Sequence, residues 1–94
     1  MYATVRNYVG AEGLADALAN REDDVRGVIQ PISGFRGYYM IRTPEGSIVT
    51  VSVYDDQAGA EESVRAAADW IRTNVPEVAP NPPQVTSGEF LFNF

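Results

Sequence analysis

The chain has 94 residues, and its thirteen acidic side chains against seven cations, all of them arginine, give a net charge of −6. The absence of Cys, His and Lys excludes thiolate nucleophiles, disulfides, zinc on nitrogen and sulfur ligands, imidazole acid–base chemistry and lysine Schiff bases. The charge has the wrong sign for nucleic acid or an anionic membrane, no apolar run approaches the ~20 residues that span a bilayer, and the N-terminus lacks the form of a signal peptide. These features predict one cytoplasmic domain over residues 1–94, with no nucleic-acid or membrane partner and a core small enough to profit from a second copy.

Residues 2–9 alternate, with Ala3, Val5, Asn7 and Val9 on one side and Tyr2, Thr4, Arg6 and Tyr8 on the other, and read as a strand ended by Gly10. From Ala11 the period becomes helical, with Leu14, Ala15, Leu18, Val25, Val28 and Ile29 predicting a helix over 11–29. The polar island Asn20-Arg21-Glu22-Asp23-Asp24 is either a solvated turn of that helix or a break between two shorter ones. Pro31 and Gly34 close it.

A hairpin follows, its runs 35–42 and 47–54 flanking Thr43-Pro44-Glu45-Gly46, where Pro44 presets the first corner and Gly46 can adopt the left-handed conformation. If Thr43 faces Ser47, then Gly37, Tyr39 and Ile41 lie opposite Val53, Val51 and Val49. Arg36, Tyr38, Met40 and Arg42 share the other face with Tyr54, Ser52, Thr50 and Ile48. Asp55 and Asp56 then sit at the start of a helix over 57–75, striped by Val64, Ala67, Ala68, Ile71 and Val75 and stopped by Pro76. Adjacent carboxylates point apart, so they cap that helix and no metal site is expected. A proline-rich extended connector, 76–83, leads to a last strand over 84–94, whose Phe90 and Phe92 are expected to meet the helices.

The order β-α-β-β-α-β is the split β-α-β plan. It predicts an α+β, ferredoxin-like sandwich: a four-stranded antiparallel sheet ordered 4-1-3-2, with two helices on one face. Ala3, Val5, Asn7, Tyr39, Ile41, Val49, Val51 and Val53 are assigned to the helix-covered face. The open face then carries Tyr2, Tyr8, Tyr38, Met40, Ile48, Tyr54 and Leu91, too apolar a set for solvent, and a homodimer interface is expected there. Arg6 is expected to pair with Glu89 on the same face.

The element order, Ile32-Ser33-Gly34-Phe35 leading into Gly37-Tyr38-Tyr39, the run Val51-Ser52-Val53-Tyr54-Asp55-Asp56 and Ala68-Asp69-Trp70 together resemble the dimeric α+β-barrel superfamily, specifically its antibiotic-biosynthesis-monooxygenase-like (ABM-like) domains. The resemblance implies two sheets closing into a barrel across a dimer axis, with a small-molecule cavity between helices and sheet in each subunit. Members include cofactor-free oxygenases of phenol or quinol-type substrates and haem-degrading enzymes. The haem degraders use a strand-one Asn, a Trp on the second helix and a His. Asn7 and Trp70 match the first two, and no His is present to ligate iron. The phenol oxygenases carry an Asn one turn before the Trp, where this chain has Ala66. The candidate ligand-binding residues are Asn7, Trp70, Asn74 and Tyr39, with no catalytic residue singled out and no cofactor expected. Three functions stay open: binding of a small aromatic or apolar molecule, cofactor-independent monooxygenation of a phenol or quinol, and a structural module with no ligand.

Overall fold

The computed structural model describes residues 1–9, 13–76 and 82–94. At its centre is the hairpin of β2 (Phe35–Arg42) and β3 (Ile48–Tyr54). Gly46 closes the turn at φ 86°, where a side chain would be strained, and its N–H donates to the Thr43 carbonyl at 3.0 Å. The register is the expected one, with Gly37 opposite Val53, Tyr39 opposite Val51 and Ile41 opposite Val49. A bulge between Phe35 and Gly37 makes Arg36 the extra residue and sets Phe35, rather than Arg36, opposite Tyr54. Phe35 meets the Tyr54 ring edge-on at 5.8 Å, while Arg36 turns outward to pair with Asp55.

β1 (Tyr2–Tyr8) pairs with β3 on one side and with β4 (Gln84–Glu89) on the other, giving the order β2-β3-β1-β4, which is 4-1-3-2 read from the opposite edge. β4 stops at Glu89 because its partner runs out: Glu89 sits opposite Tyr2, and the Phe90 N–H makes one further bond to the Met1 carbonyl at 2.9 Å. The last strand is therefore shorter than 84–94. Phe92 is 80% exposed and stacks on Phe94 rather than on a helix.

The first helical region is two helices, α1 (Leu14–Ala19) and α2 (Glu22–Ile29), broken at the polar island. The Asn20 side-chain amide donates to the Asp16 carbonyl, and Arg21 leaves helical geometry at φ −131°, ψ 35°. α3 (Gln57–Asn74) begins where expected, its first turn capped by the Asp56 carboxylate, which accepts from the Gly59 N–H at 3.0 Å. Gly59 has to be small, since a Cβ there would lie 2.9 Å from both the Ser33 carbonyl and the Tyr54 ring. The start of the 11–29 helix and most of the 76–83 connector lie outside the described residues.

The two sheet faces are the reverse of the expectation. Thr4, Arg6, Tyr8, Ile48, Thr50, Ser52 and Tyr54 are buried beneath the helices. Tyr8 and Ile48 join Leu14, Leu18 and Val75 in one apolar cluster, and Tyr54 joins Ile29 and Ala60 in another. Tyr39 and Ile41, 61% and 56% exposed, lie on the uncovered side, in line with Val5, Asn7, Val49 and Val51. The reason is one of reach. Arg6, Tyr8, Ile48 and Tyr54 reach into the space between sheet and helices, with Thr4, Thr50 and Ser52 buried around Arg6, whereas Val5, Val49 and Val51 line a face suited to packing against another sheet.

Candidate functional site

A cleft of about 380 Å³ opens between the α1–α2 pair and the β2 edge of the sheet, within the 300–1,000 Å³ range usual for small-molecule sites. Leu18, Val25, Ile29, Phe35 and Met40 form its apolar walls, the Glu22–Arg26 ion pair stands at its rim, and Tyr38 reaches it from β2. Residues from both sides of the helix break line it, Leu18 and Ala19 from α1 and Glu22, Val25, Arg26 and Ile29 from α2. Leu18, Val25, Ile29 and Tyr38 also bound a narrow inner space of about 20 Å³, closed by Tyr8, Thr50 and Trp70 and large enough for about one water. Trp70 thus backs the cleft rather than lining it. The guanidinium of Arg21, placed by the helix break, lies 5.0 Å from its ring centroid.

Behind Tyr38 lies a buried polar seam running across the central strands. Arg6 is only 1% exposed, and all its described hydrogen bonds go to neutral groups: Nε donates to Thr50 Oγ1 at 3.0 Å, Nη2 to Ser52 Oγ at 2.9 Å and Nη1 to the Ser63 carbonyl at 3.2 Å. The other six arginines each face a carboxylate, and among the described residues Arg6 faces none. Burial raises the Tyr38 phenol, while the charge of Arg6 and the polar approach of Arg6 and Thr50 oppose that rise. Tyr8 is likewise raised by burial, and Tyr54, whose hydroxyl donates to the Ile29 carbonyl at 2.8 Å, is pushed up to about 12. All three phenols hold their protons at neutral pH. Tyr38 therefore offers the cleft a hydrogen-bond donor with a cation behind it, and it does not act as a base. On its far side Arg6 borders an open groove of about 440 Å³ beside α3, framed by Pro76, Pro82 and Pro83, which flank residues outside the described set. No cluster of carboxylates able to hold a metal occurs among the described residues.

The sequence-derived candidates are not brought together. Asn7 lies on the uncovered face, opposite Val49 and Gln84, and its Oδ1 is buried without a partner among the described residues. Tyr39 shares that face, its ring lying over Gly37. Neither can line a cavity between helices and sheet, so those two assignments are corrected. Alternation puts them one residue out of phase with the covered set. Asn74 is exposed, with its amide donating to the Trp70 carbonyl, and of the four only Trp70 is near the cleft. The interface set is corrected for the same reason. Tyr2, Tyr8, Tyr38, Met40, Ile48 and Tyr54 all pack toward the helices, whereas Leu91, beyond the last strand, is exposed and is not part of that correction. Glu89 is opposite Tyr2 and does not pair with Arg6. The sequence assigns Tyr38 to an interface and Arg6 to an ion pair, yet it carries a signal of the buried seam: Thr4, Arg6, Thr50 and Ser52 form a polar set on two central strands that have no acidic residue in phase.

No protein-family model matches the sequence, and no curated protein matches it. Solved structures do share its fold. A protein described as "Putative antibiotic biosynthesis monooxygenase" from Bordetella bronchiseptica superposes with a TM-score of 0.71 at 21% identity, covering 97% of each chain. A dimeric ferredoxin-like protein from an uncultured marine organism gives 0.63 at 13%, covering 99% of this chain and 94% of the other. The R26S mutant of MhuD, with two manganese protoporphyrin IX bound per active site, gives 0.71 at 15%, covering 99% and 96%. The chain thus has the ferredoxin-like α+β fold found in ABM-like barrel proteins.

Proposed function

We propose that this chain is a single-domain homodimeric α+β-barrel protein that binds a small aromatic molecule in the cleft between α1–α2 and β2. The carrying observation is a 380 Å³ space whose apolar walls end on one protonated phenol, Tyr38. That combination suits a ring with one polar substituent. Porphyrin in one protein of this fold and dimerisation in another support a ligand-binding barrel. The dimer forms through the uncovered face, whose Val5, Tyr39, Ile41, Val49 and Val51 would meet the same residues of a second copy. No helix among the described residues is long and apolar enough to cross a membrane, in keeping with a cytoplasmic place.

Oxygenation of a phenol is the second reading, favoured by an apolar cleft that ends on a proton donor and by the name of one protein of the same fold. Emission from Trp70, the only tryptophan, reports on the inner wall of the cleft. Titration with two-ring phenols and aromatic acids should shift or quench it saturably, and oxygen uptake during the same titration would separate turnover from binding. A panel of such ligands that leaves emission and calorimetric heat unchanged would overturn the binding reading in favour of a structural module.

A further inference from the structure

Burying a guanidinium without a counter-ion is costly, and hydroxyl and carbonyl dipoles offset that cost only in part. Arg6 is buried at the centre of the sheet with no carboxylate beside it among the described residues. Six of the seven arginines sit at the surface opposite carboxylates, so the chain has acidic partners in plenty and places none of those described beside this one. Thr50 accepts from Arg6 Nε and lines the inner space behind the cleft together with Tyr38, and Tyr38, which also borders the cleft, lies directly opposite Ser52, whose Oγ accepts from Arg6 Nη2. A line of polar groups thus leads from the buried cation past Thr50 and Ser52 to Tyr38 at the cleft, whose other polar lining residues, Glu22, Arg26 and Gln30, are all exposed.

Resting on the reading of the cleft as a small-molecule site, we propose that its ligand is an aromatic anion, whose charged oxygen accepts from the Tyr38 hydroxyl and is balanced by the Arg6 guanidinium behind it. Tyr38 touches the ligand. Arg6 is a positioning residue that orients the phenol and supplies the charge. The shared chemistry is an anionic oxygen on a ring, either a carboxylate or a phenolate. Glu22, the one acid at the cleft, is turned to Arg26 at the rim and leaves the inner end free of negative charge.

The test is calorimetric titration of the intact protein with naphthalene carboxylate, its neutral carboxamide and dinitrophenolate. The carboxylate should bind more tightly than the carboxamide by about tenfold or more, the usual difference between a charged and a neutral hydrogen bond. Comparison with dinitrophenolate tells carboxylate from phenolate. Tyr38→Phe, which removes one oxygen, should bring the ratio of carboxylate to carboxamide affinity close to one, while the carboxamide itself binds nearly as before. Arg6→Lys should keep most of the ratio and Arg6→Met should lose it, a pattern that a purely structural role for Arg6 would not produce. If Arg6→Met fails to fold, Tyr38→Phe decides alone. Equal affinities in the unmodified protein, or a ratio that survives Tyr38→Phe, would overturn the anion while leaving the cleft as a neutral-ligand site. Failure of all three probes to bind would overturn the cleft reading and the anion with it.

Discussion

The two faces of this sheet carry nearly equal apolar content and use it in opposite ways. Under the helices, Tyr8, Ile48 and Tyr54 interlock with Leu14, Leu18 and Ile29 around the polar seam of Thr4, Arg6, Thr50 and Ser52. On the other face, valines with Tyr39 and Ile41 make an apolar surface interrupted by Asn7 and by Gln84 and Thr86 of β4. The first face is irregular and deep, and so it leaves a cleft. The second is flat, and a second sheet can cover it without a void. The proposed ligand cleft and the proposed dimer face thus lie on opposite sides of the same strands.

Breaking the covered face should have the largest effect. Tyr54 is fully buried, with its hydroxyl on the Ile29 carbonyl and its ring against Phe35, so Tyr54→Ala should cost about 3–5 kcal/mol in urea unfolding. That is much of the stability of a small domain. On the flat face the loss should instead appear in assembly: Val51→Asp should convert a dimer burying about 2,000 Å² or more into a folded monomer by sedimentation equilibrium. Unfolding of Val51→Asp at every concentration would mean that the face stabilises the protomer itself.

Raising the pH sharpens the contrast, because Tyr8, Tyr38 and Tyr54, all raised by burial, lie on the covered face. A phenol whose folded pKa exceeds its unfolded value stabilises the fold fully below about pH 10, and that stabilisation is lost as the pH climbs through the folded value. For Tyr54 the window runs from about 10 to about 12, with a loss near 1.4 kcal/mol per pH unit. Urea midpoints should be level up to pH 9 and fall steeply beyond 10. A flat profile through pH 11 would contradict the burial of these phenols.

The hairpin was legible because Thr43-Pro44-Glu45-Gly46 fixes the register locally, and α3 because Asp56, its apolar stripe and Pro76 agree. Which face the helices cover was not legible. Period-2 alternation sorts residues into two sets and says nothing of which set is inside when both are apolar. Both the expectation of Asn7 and Tyr39 in the cavity and that of Tyr38 and Met40 in the interface turn on this one ambiguity. The end of β4 was hidden for another reason. It depends on where β1 begins, a pairing that the alternation of Phe90, Phe92 and Phe94 cannot reveal.

Smaller effects test the edges of the comparison. Arg21→Ala should remove the cation over Trp70, costing about 0.5–1 kcal/mol and altering its emission. Deleting residues 91–94, which pack on no described helix, should change the unfolding of the protomer by less than about 0.5 kcal/mol.

Carbon–proton NMR of the side-chain methyls, followed during titration with naphthalene carboxylate, tests the division of labour most directly, since each face has its own reporters. The Met40, Leu18 and Ile29 methyls, which wall the cleft, should shift together and saturate, while those of Val5, Val49 and Val51 on the opposite face stay in place. Shifts led by the valines, with Met40 unmoved, would contradict the account by placing the ligand on the flat face.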